Sequence, residues 1–534
     1  MLGGPPAAAQ AVQGIGEQTL GAPRGVLRIT IAPSFESFDE RFLPTSDTEA
    51  LGARLTTPAL GASALPILAT TSSAVRTLSG IPTYDATLGA ANLRASTSIN
   101  TLRLGAELGL THRLSILANV PIVRTRTELQ LGVNGASGGN VGVNPALIDS
   151  DLAELHTALL EAQVSAAGAL DGLLALCAAA GATDPRCPTV QANLPALQSL
   201  ATDAAAAAAA SESLYGTNAL FTPIEGSAAD AAVAARLDAL EAAFASWQTL
   251  GLPAFPGAAF ASPDVPIGSG DAQALLSNGT FGIGIDSLIS RTRFGIGDIE
   301  VGARLLLIDT PGRAQRLTPQ GIGFRLAIAG GARIGTGEAP DPDRPFDPGT
   351  GDGQHDLIGA AHLDLLFGGR FWATLTGRYV QQLEDRLTMR VAPRSIPLAP
   401  LDTRFEVDRN LGDIVEFEVA PRIVAGRYLS IGARYAYRDK AMDQHEFASA
   451  ASVPTGGAPF PASVLDSATA YTEQELGVGF TYSTIAASAR GLARLPIEIT
   501  YQHVESLSAD GGYLPKRTRD EVRIRLYLRL FGGT

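Results

Sequence analysis

The chain has 534 residues and a formal net charge of −13 at pH 7, and only 17% of its residues are charged. This acidic balance argues against a nucleic-acid partner, which requires a basic surface. The mean hydropathy is +0.14, yet we find no run of about 18 apolar residues of the kind that forms a transmembrane helix. Such a chain is typical of a membrane β-barrel, in which every second strand residue faces lipid.

Residues 1–24 contain neither the basic start nor the apolar stretch of an export signal. We expect them to form an N-terminal periplasmic segment ahead of the first strand. Because barrels of this kind lie in the outer membrane of a Gram-negative-type envelope, we expect an export signal that is absent from this sequence or truncated in it.

Alternating side chains then predict the first three strands. Strand one covers about Gly25 to Glu36 and strand two about Thr97 to Leu110, with a polar loop at 43–88 between them. Successive side chains of a strand point to opposite faces, and here aliphatic and charged residues alternate. The third strand starts at Leu114, and its apolar face changes from even to odd positions after Pro121. We therefore predict a β-bulge near that proline.

Residues 133–290 show helical rather than strand periodicity. Helices are predicted over about Asp149 to Ala180, Thr189 to Tyr215 and Ala228 to Leu250, the first with Leu and Ala at heptad spacing. Cys177 and Cys187 lie at the end of the first helix and beyond it. A disulfide bond between them fits an oxidising compartment, and two buried free thiols are an equal alternative.

From residue 291 onward the strand pattern resumes and predicts nine further strands. The pattern is clearest in Phe294 to Leu307, FGIGDIEVGARLLL, and in Asp520 to Phe531, DEVRIRLYLRLF. Short turns and long loops also alternate along the chain, as they do in outer-membrane barrels with both termini in the periplasm.

We therefore predict an all-β fold, namely a transmembrane antiparallel β-barrel of about 12 strands with an inserted α-helical extracellular domain. The predicted units are an N-terminal periplasmic segment (1–24), barrel strands one to three (25–132), the helical extracellular insert (133–290) and barrel strands four to twelve (291–534).

The charged strand face is expected to point into the lumen. It forms either a pore lining that sets selectivity or ion pairs between neighbouring strands that fill the lumen, and for any single residue we favour the ion pairs. The predicted pore-lining residues are Arg103, Arg124, Arg126, Glu300, Arg304, Arg325, Arg333, Arg378, Glu416, Glu418, Arg422, Arg434, Glu473, Glu475, Arg523, Arg525 and Arg529.

The sequence contains no serine nucleophile elbow, HExxH, P-loop or CxxC motif, so we predict neither an enzyme nor a bound cofactor. An acidic loop with Asp341, Asp343, Asp347 and Asp352 supplies the hard oxygen ligands that calcium prefers. Its spacing does not match an EF-hand loop, and a solvated outer loop is the favoured interpretation. We predict no other metal site.

Several short segments carry a resemblance to a known family. They are Gly297 to Arg304, GDIEVGAR; Ile334 to Gly337, IGTG; Gly349 to Asp352, GTGD, with Asp356-Leu357; and Gly377 to Tyr379, GRY. They resemble outer-membrane barrels of the phenol meta-pathway type, which are akin to the long-chain fatty-acid channel group. The resemblance covers the chain from residue 291, less clearly residues 25–132, and not the helical insert. The family usually has Pro at the position of Gly335 and a terminal aromatic residue, whereas here Phe531 is followed by Gly-Gly-Thr.

The resemblance implies passage of small solutes, hydrophobic ones among them, across an outer membrane. We predict a channel to which the helical insert restricts access. The alternative is a structural or adhesive anchor that displays the helical domain to a partner or a surface layer. Expected partners are the lipid bilayer and lipopolysaccharide, the barrel-assembly machinery and a surface partner on the insert. No nucleic acid is expected.

Overall fold

Twelve antiparallel strands close into a single barrel. The computed structural model describes residues 15–134, 138–179, 182–279, 283–312, 319, 321–426, 428–449, 453, 457–489 and 491–531. The barrel strands are β1 (Val26–Phe38), β2 (Ala90–Gly109), β3 (Leu114–Asn134), β4 (in two parts, Ile289–Ile296 and Ile299–Asp309), β5 (Ile322–Ile334), β6 (Asp356–Phe367), β7 (Phe371–Gln382), β8 (Ile414–Ala425), β9 (Leu429–Lys440), β10 (Tyr471–Ser483), β11 (Ile497–Asp510) and β12 (Thr518–Arg529).

The barrel closes because each strand pairs with its neighbours in the chain and the last strand pairs with the first. Leu27 of β1 lies opposite Leu528 of β12 on one side and opposite Leu108 of β2 on the other. The number of strands confirms the prediction. Short turns and long loops alternate as predicted except in the last connection, from Asp510 to Thr518, which is shorter than the turn between β10 and β11. The start of β1 and the end of β12 lie at the end of the barrel that carries the short turns.

Aliphatic and aromatic side chains cover the outer face of this barrel. A soluble protein rarely exposes so continuous an apolar surface, and a belt of this kind faces the hydrocarbon core of a bilayer. The fold is therefore a transmembrane β-barrel. Exposed members of the belt include Leu104, Ile116, Val301, Phe324, Ile328, Val419, Ile431, Val478, Phe480 and Leu528.

Strand β3 has no bulge at Pro121, so the bulge predicted there is wrong. Its register shift against β4 lies farther along the strand, between Thr127 and Gln130. Its pairing with β2 keeps one register from Ser115 to Asn134. The irregularity lies instead in the neighbouring strand β4, which is interrupted at Gly297 and Asp298 and changes register with β3 there.

The apolar pattern of β3 changes because the surroundings of the strand change. Beyond Pro121 the outer face leaves the membrane and meets water, so Arg124 and Arg126 are exposed on it. The inner face there contacts the helical domain, and Leu129 and Val133 are buried in the core of that domain. Arg124 and Arg126 therefore lie on the outer face of the barrel, and their prediction as pore-lining residues is wrong.

A helical domain, which we call the cap, lies over the end of the barrel that carries the long loops. Following the usual arrangement of outer-membrane barrels, we call this end extracellular and the end with the short turns periplasmic. The helices of the cap are α1 (Leu68–Ser79), α2 (Ser150–Ala178), α3 (Cys187–Ala192), α4 (Leu194–Tyr215), α5 (Ala228–Ser246) and α6 (Ser269–Ser277). The predicted helices of the insert are present, the second of them as two helices. The stretch 43–88, predicted as a polar loop, contributes α1, which packs against α4 and α5. A disulfide bond joins Cys177 to Cys187 and ties the end of α2 to the start of α3.

Helix α2 is long and apolar enough to cross a membrane by length and composition alone, which the sequence analysis did not expect. It packs against α4, and its Ala166, Leu170 and Leu173 are buried in the core of the cap. The helix therefore belongs to the cap.

Short elements complete the extracellular side and the turns. Glu40–Phe42, Thr48–Ala50 and Leu514–Pro515 form one small sheet, Asp385–Arg390, Arg404–Asn410 and Gln444–Phe447 form a second, and Val141–Val143 pairs with Phe221–Pro223. The single-turn helices are Ala53–Leu55, Pro145–Leu147, Gln248–Leu250, Leu401–Thr403, Ala462–Asp466 and Ile485–Ser488.

Candidate functional site: the barrel lumen

The inner face of the strands surrounds a polar cavity of about 350 Å³. Its position follows from the strand alternation, which places aliphatic side chains in lipid and charged side chains in the lumen. The structure brings ten of the predicted pore-lining residues together around this cavity: Arg103, Glu300, Arg304, Arg333, Arg378, Glu416, Glu418, Arg434, Arg523 and Arg525.

Other predicted residues point inward but do not line the cavity. Glu473 and Glu475 are buried in ion pairs near it. Arg325 and Arg422 lie toward the periplasmic end, with their guanidinium carbons 5.7 and 4.7 Å from the ring centre of the buried Trp372. Arg529 has an inward register but is exposed at the periplasmic edge.

Some lining residues were missed by the sequence analysis. Arg519 and Glu521 continue the alternation of Arg523. Glu521 lies within the predicted last strand but was not included among the pore-lining residues, whereas Arg519 lies before the predicted start, because β12 begins at Thr518. Glu17 gave no signal, because it lies in the segment predicted to be periplasmic. The remaining additions to the lining are Gly16, Gln18, Arg28, Thr30, Ala32, Gly105, Ala106, Glu107, Leu117, Asn119, Arg438 and Gln502.

Arginines and glutamates of the lumen form a network across neighbouring strands. Arg434 donates to Glu418 at 2.6 Å and to Glu475 at 3.0 Å. Arg438 of the same strand donates to Glu473 at 2.8 Å. Each of these arginines is therefore shared between carboxylates of the two flanking strands. Such pairs remove most of the cost of placing charges in a confined space.

The N-terminal segment lies inside the lumen rather than in the periplasm, which corrects the prediction for residues 15–22. Glu17 accepts from Arg378 at 2.5 Å and lies 3.8 Å from Arg304, and its own N–H donates to Glu418 at 2.8 Å. Charged groups from three different strands therefore hold this one residue. We call residues 15–22 the plug.

The rest of the plug crosses the lumen between opposite walls. At one side Leu20 is buried against Leu306 of β4 and Ala327 of β5. Next to it, the N–H of Ala22 donates to Glu107 of β2 at 2.9 Å. At the other side Ile15, which is 2% exposed, lies over β9 and β10. The plug therefore spans the lumen, and the cavity is the space left around it.

Glycines make this fit possible. Gly432 of β9 and Gly479 of β10 are paired across the strands, and a Cβ on them would lie 3.4 and 2.9 Å from side-chain carbons of Ile15. In the plug itself, Gly16 has a φ of +82°, a left-handed conformation that favours glycine. A Cβ there would lie 2.5 Å from a carboxylate oxygen of Glu418.

The cap closes over part of the lumen mouth. Its core continues into the inner face of the upper strands through Leu93 of β2 and Leu129 of β3. On the opposite side, Arg390 donates to the carbonyl oxygens of Ile283 and Gly284 at 2.7 and 2.6 Å. The cap is therefore bound both to the barrel wall and to the loop that follows β7.

Three of the segments that carry the family resemblance, 297–304, 334–337 and 349–352, meet at one place on the extracellular side. One carboxylate oxygen of Asp298 accepts the N–H of Gly337 at 2.8 Å, and the other accepts the N–H of Asp352 at 3.1 Å. Thr336 donates to the carbonyl of Gly297 at 2.7 Å. Asp298, at the interruption of β4, thus holds the two ends of the acidic loop together through its carboxylate. Burial, with the nearby charge of Asp298, raises the pKa of Asp352 above its ordinary value.

Three of the four aspartates of the acidic loop pair with arginines and do not form a calcium site. Asp343 accepts from Arg390 at 3.0 Å, Asp347 accepts from Arg293 at 2.6 Å, and Asp341 pairs with Arg344 at 3.4 Å. Asp352 accepts the N–H of Gln354 at 3.0 Å. Within the part of the chain that the structure describes, no group of three or more His, Cys, Asp or Glu residues has metal-site geometry. The structure does not bring these aspartates together around a cation.

No protein-family model matches the chain, and no curated protein matches it either. Solved structures that are similar to it include an outer membrane channel from Pseudomonas putida F1, with 8% identity and a TM-score of 0.41 over 97% of this chain and 100% of that one.

Two further similar structures are the Pseudomonas putida toluene transporter TodX, with 9% identity and a TM-score of 0.23 over 99% and 90% of the two chains, and a Pseudomonas aeruginosa FadL homologue, with 9% identity and a TM-score of 0.27 over 95% and 90%. The closure of the barrel is established by this chain's own strand pairing.

Proposed function

We propose that this protein is an outer-membrane channel for small solutes whose lumen is closed by its own N-terminal plug. The observation that supports this most directly is the set of contacts around Glu17, which join the plug to three barrel strands inside the lumen. Every one of these contacts is a hydrogen bond or an ion pair. They can be exchanged for water when the plug moves, without unfolding any strand.

The size of the barrel suits a narrow passage. Eight strands leave an interior that side chains fill, and the diameter grows about linearly with strand number, so twelve strands leave extra room. Here that room is taken up by the plug and by the remaining cavity. Removal of the plug from the lumen would join the cavity to the space that the plug occupies.

The solutes that we propose are small and carry at least one polar group. The sequence resemblance favours hydrophobic solutes, and the lining of this cavity consists mainly of arginine and glutamate side chains. A solute with an apolar body and a polar group satisfies both observations. We further propose that the cap restricts access, because it is bound to both sides of the mouth.

The alternative is a surface anchor that displays the cap to a partner or a surface layer. Exposed apolar side chains on the cap favour it, among them Ile148 (82% exposed) and Val164 (58% exposed). In both proposals the bilayer and lipopolysaccharide surround the barrel, the barrel-assembly machinery inserts it, and no catalytic step is involved.

Solute flux into liposomes distinguishes the two proposals. Because the plug would block flux with or without the cap, residues 1–22 are removed from both proteins that are compared, one with the cap and one that also lacks residues 140–280. Both are refolded, and their folding is checked by the heat-dependent shift in gel mobility that barrels show. Swelling rates in small sugars and amino acids are then compared. A channel restricted by the cap becomes faster without it. An unchanged rate, together with lost binding to a cell surface, would favour the anchor.

A further inference from the structure

Three arginines surround one tyrosine ring on the extracellular side, away from the lumen cavity. The guanidinium carbons of Arg54, Arg41 and Arg394 lie 4.5, 5.2 and 5.3 Å from the ring centre of Tyr513. A cation within about 6 Å of an aromatic ring is attracted to its face. We call these four residues the Tyr513 cluster.

The cluster is built where four loops meet. Arg41 and Arg54 follow β1, Arg394 follows β7, and Tyr513 follows β11. Arg54 donates to the carbonyl of Arg394, and Arg394 donates to the carbonyl of Ser467 in the loop after β9, at 3.2 Å.

These loops connect strands from β7 through β12 and on to β2, which are eight of the twelve neighbours around the barrel. Loops from two thirds of the rim therefore converge on one ring. The Tyr513 cluster lies at the extracellular rim of the barrel.

Positive charge exceeds negative charge in this cluster. Glu49 pairs with Arg41 at 2.6 Å and with Arg54 at 3.8 Å. Among the residues that the structure describes, Arg394 forms no ion pair. Guanidinium groups held this close repel one another unless an anion lies between them. Their planar forks match the geometry of carboxylate and phosphate oxygens.

The lumen cavity also carries an excess of positive charge. Among the described residues that line it there are ten arginines and six glutamates. A surface cluster and a cavity of one sign concentrate ions of the opposite sign along the same route. The two observations are independent, because no residue belongs to both.

We propose that the Tyr513 cluster binds the oxyanion of a soluble solute, a carboxylate or a phosphate group, as that solute approaches the channel. This rests on the proposed channel function and names the class of solute. The tyrosine ring offers a face for the apolar part of the solute, while the guanidinium groups bind its oxygens. Binding has to be weak, because a solute that enters a channel must also leave the site.

The test is calorimetric titration of the detergent-solubilised full chain with inorganic phosphate and with succinate at low salt. Arg394→Gln and Arg41→Gln are each expected to weaken binding about tenfold, the loss of one charge-assisted hydrogen bond. Arg236→Gln is the matched control, because Arg236 is an exposed arginine of the cap that pairs with Asp203. It is expected to bind as the unchanged protein does. Tyr513→Phe, which retains the ring, is expected to bind similarly.

Two results would overturn the proposal. One is equal affinity for both oxyanions in the unchanged protein and in the folded Arg394→Gln and Arg41→Gln variants. The other is arginine-dependent binding to vesicles that contain lipid A without competition from phosphate or succinate, which would assign the cluster to lipid. Solute flux is measured separately, so that the channel and the cluster can fail independently. Flux without oxyanion binding would contradict only the proposed role of the cluster. Oxyanion binding without flux would contradict only the proposed channel function.

Discussion

At the scale of single residues, Gly16 shows how closely the plug fits the barrel wall. Its φ is +82°, and a Cβ would lie 2.5 Å from a Glu418 oxygen and 2.9 Å from the Cβ of Ala420. A larger side chain there therefore meets both a backbone penalty and a steric clash. A substitution at Gly16 changes the plug and leaves every residue of the barrel wall unchanged.

We predict that Gly16→Val displaces the plug and raises the rate of solute flux severalfold. The matched control is Gly426→Val in the turn after β8, where φ is +83° and nothing lies within 4 Å of an added Cβ. The control carries the same backbone strain without contact with the lumen and is expected to leave flux unchanged. Liposome swelling measures both variants. Equal rates for them, with both folded, would argue against a fitted plug.

The inner and outer arginines are expected to differ in their effect on stability. Replacing Arg434 by Leu leaves Glu418 and Glu475 without their shared partner in the lumen, and breaking such a buried pair costs about 3–5 kcal/mol. Arg124→Leu changes an exposed side chain on the outer face of β3 and is expected to alter stability by no more than about 0.5 kcal/mol.

The temperature at which each barrel loses its folded gel mobility measures this difference. Arg434→Leu is expected to lower that temperature clearly, and Arg124→Leu is expected to leave it nearly unchanged. The opposite order would contradict the placement of these two residues.

At the scale of elements, His156 links helix α2 to the end of α4 and to the loop after α5. It is buried, with Nδ1 3.3 Å from the carbonyl of Tyr215 and Nε2 accepting the N–H of Ala261 at 2.9 Å. The rings of Tyr215 and Phe260 pack edge-on against it. Only a neutral imidazole with its proton on Nδ1 satisfies both contacts. Burial lowers the pKa of His156 below its ordinary value.

The cap is therefore predicted to lose stability as the pH falls through the ordinary pKa of histidine. The folded state binds fewer protons at this site than the unfolded state, so its stability is present above about pH 6.5 and declines below it. Thermal melting of the helical circular dichroism signal at pH 7.5 and pH 5 measures this. In His156→Gln the decline should be smaller. An equal decline in both proteins would show that another group is responsible.

The strands were predicted well because their pattern reflects one simple contrast. Lipid outside and a wet lumen inside impose period-two alternation within the membrane. The segment Asp520 to Phe531, predicted as the last strand, overlaps the observed β12, Thr518–Arg529, over most of its length. Beyond the membrane the contrast changes. On β3 the apolar face turns from lipid to the cap beyond Pro121, and sequence alone gives the same signal for this as for a bulge. Arg124 does avoid lipid, as its charge requires, but it does so on the outer face beyond the membrane and not in the lumen.

Helix α1 was missed for a related reason. Its sequence, LATTSSAVRTLS, is rich in Ser and Thr, which have modest helix propensity. The helix forms because Leu68, Val75 and Leu78 are buried in the core of the cap. That core consists mostly of residues from the insert between β3 and β4, where α1 packs against α4 and α5. A local sequence pattern does not reveal partners so distant in the chain.

At the scale of the whole molecule, two parts of the chain restrict passage through the barrel, one at its mouth and one inside its lumen. The cap lies over part of the mouth, with the loops around Tyr513 at the rim, and the plug crosses the lumen below them. The sequence predicted the barrel, the helical insert and much of the charged lining. It did not predict the plug, because residues 15–22 carry no periodic pattern. Their position depends on glycines of β9 and β10 that the chain reaches only after more than 400 further residues.

The measurement that most directly tests this account is single-channel conductance in a planar bilayer, for the full chain and for a variant without residues 1–22. Both proteins are first shown to be folded by their heat-shifted gel mobility. We predict that the full chain conducts little or not at all, and that the variant gives steady ohmic steps with a preference for anions. A folded variant that is as silent as the full chain would contradict the account, because the barrel would then be closed by something other than its plug.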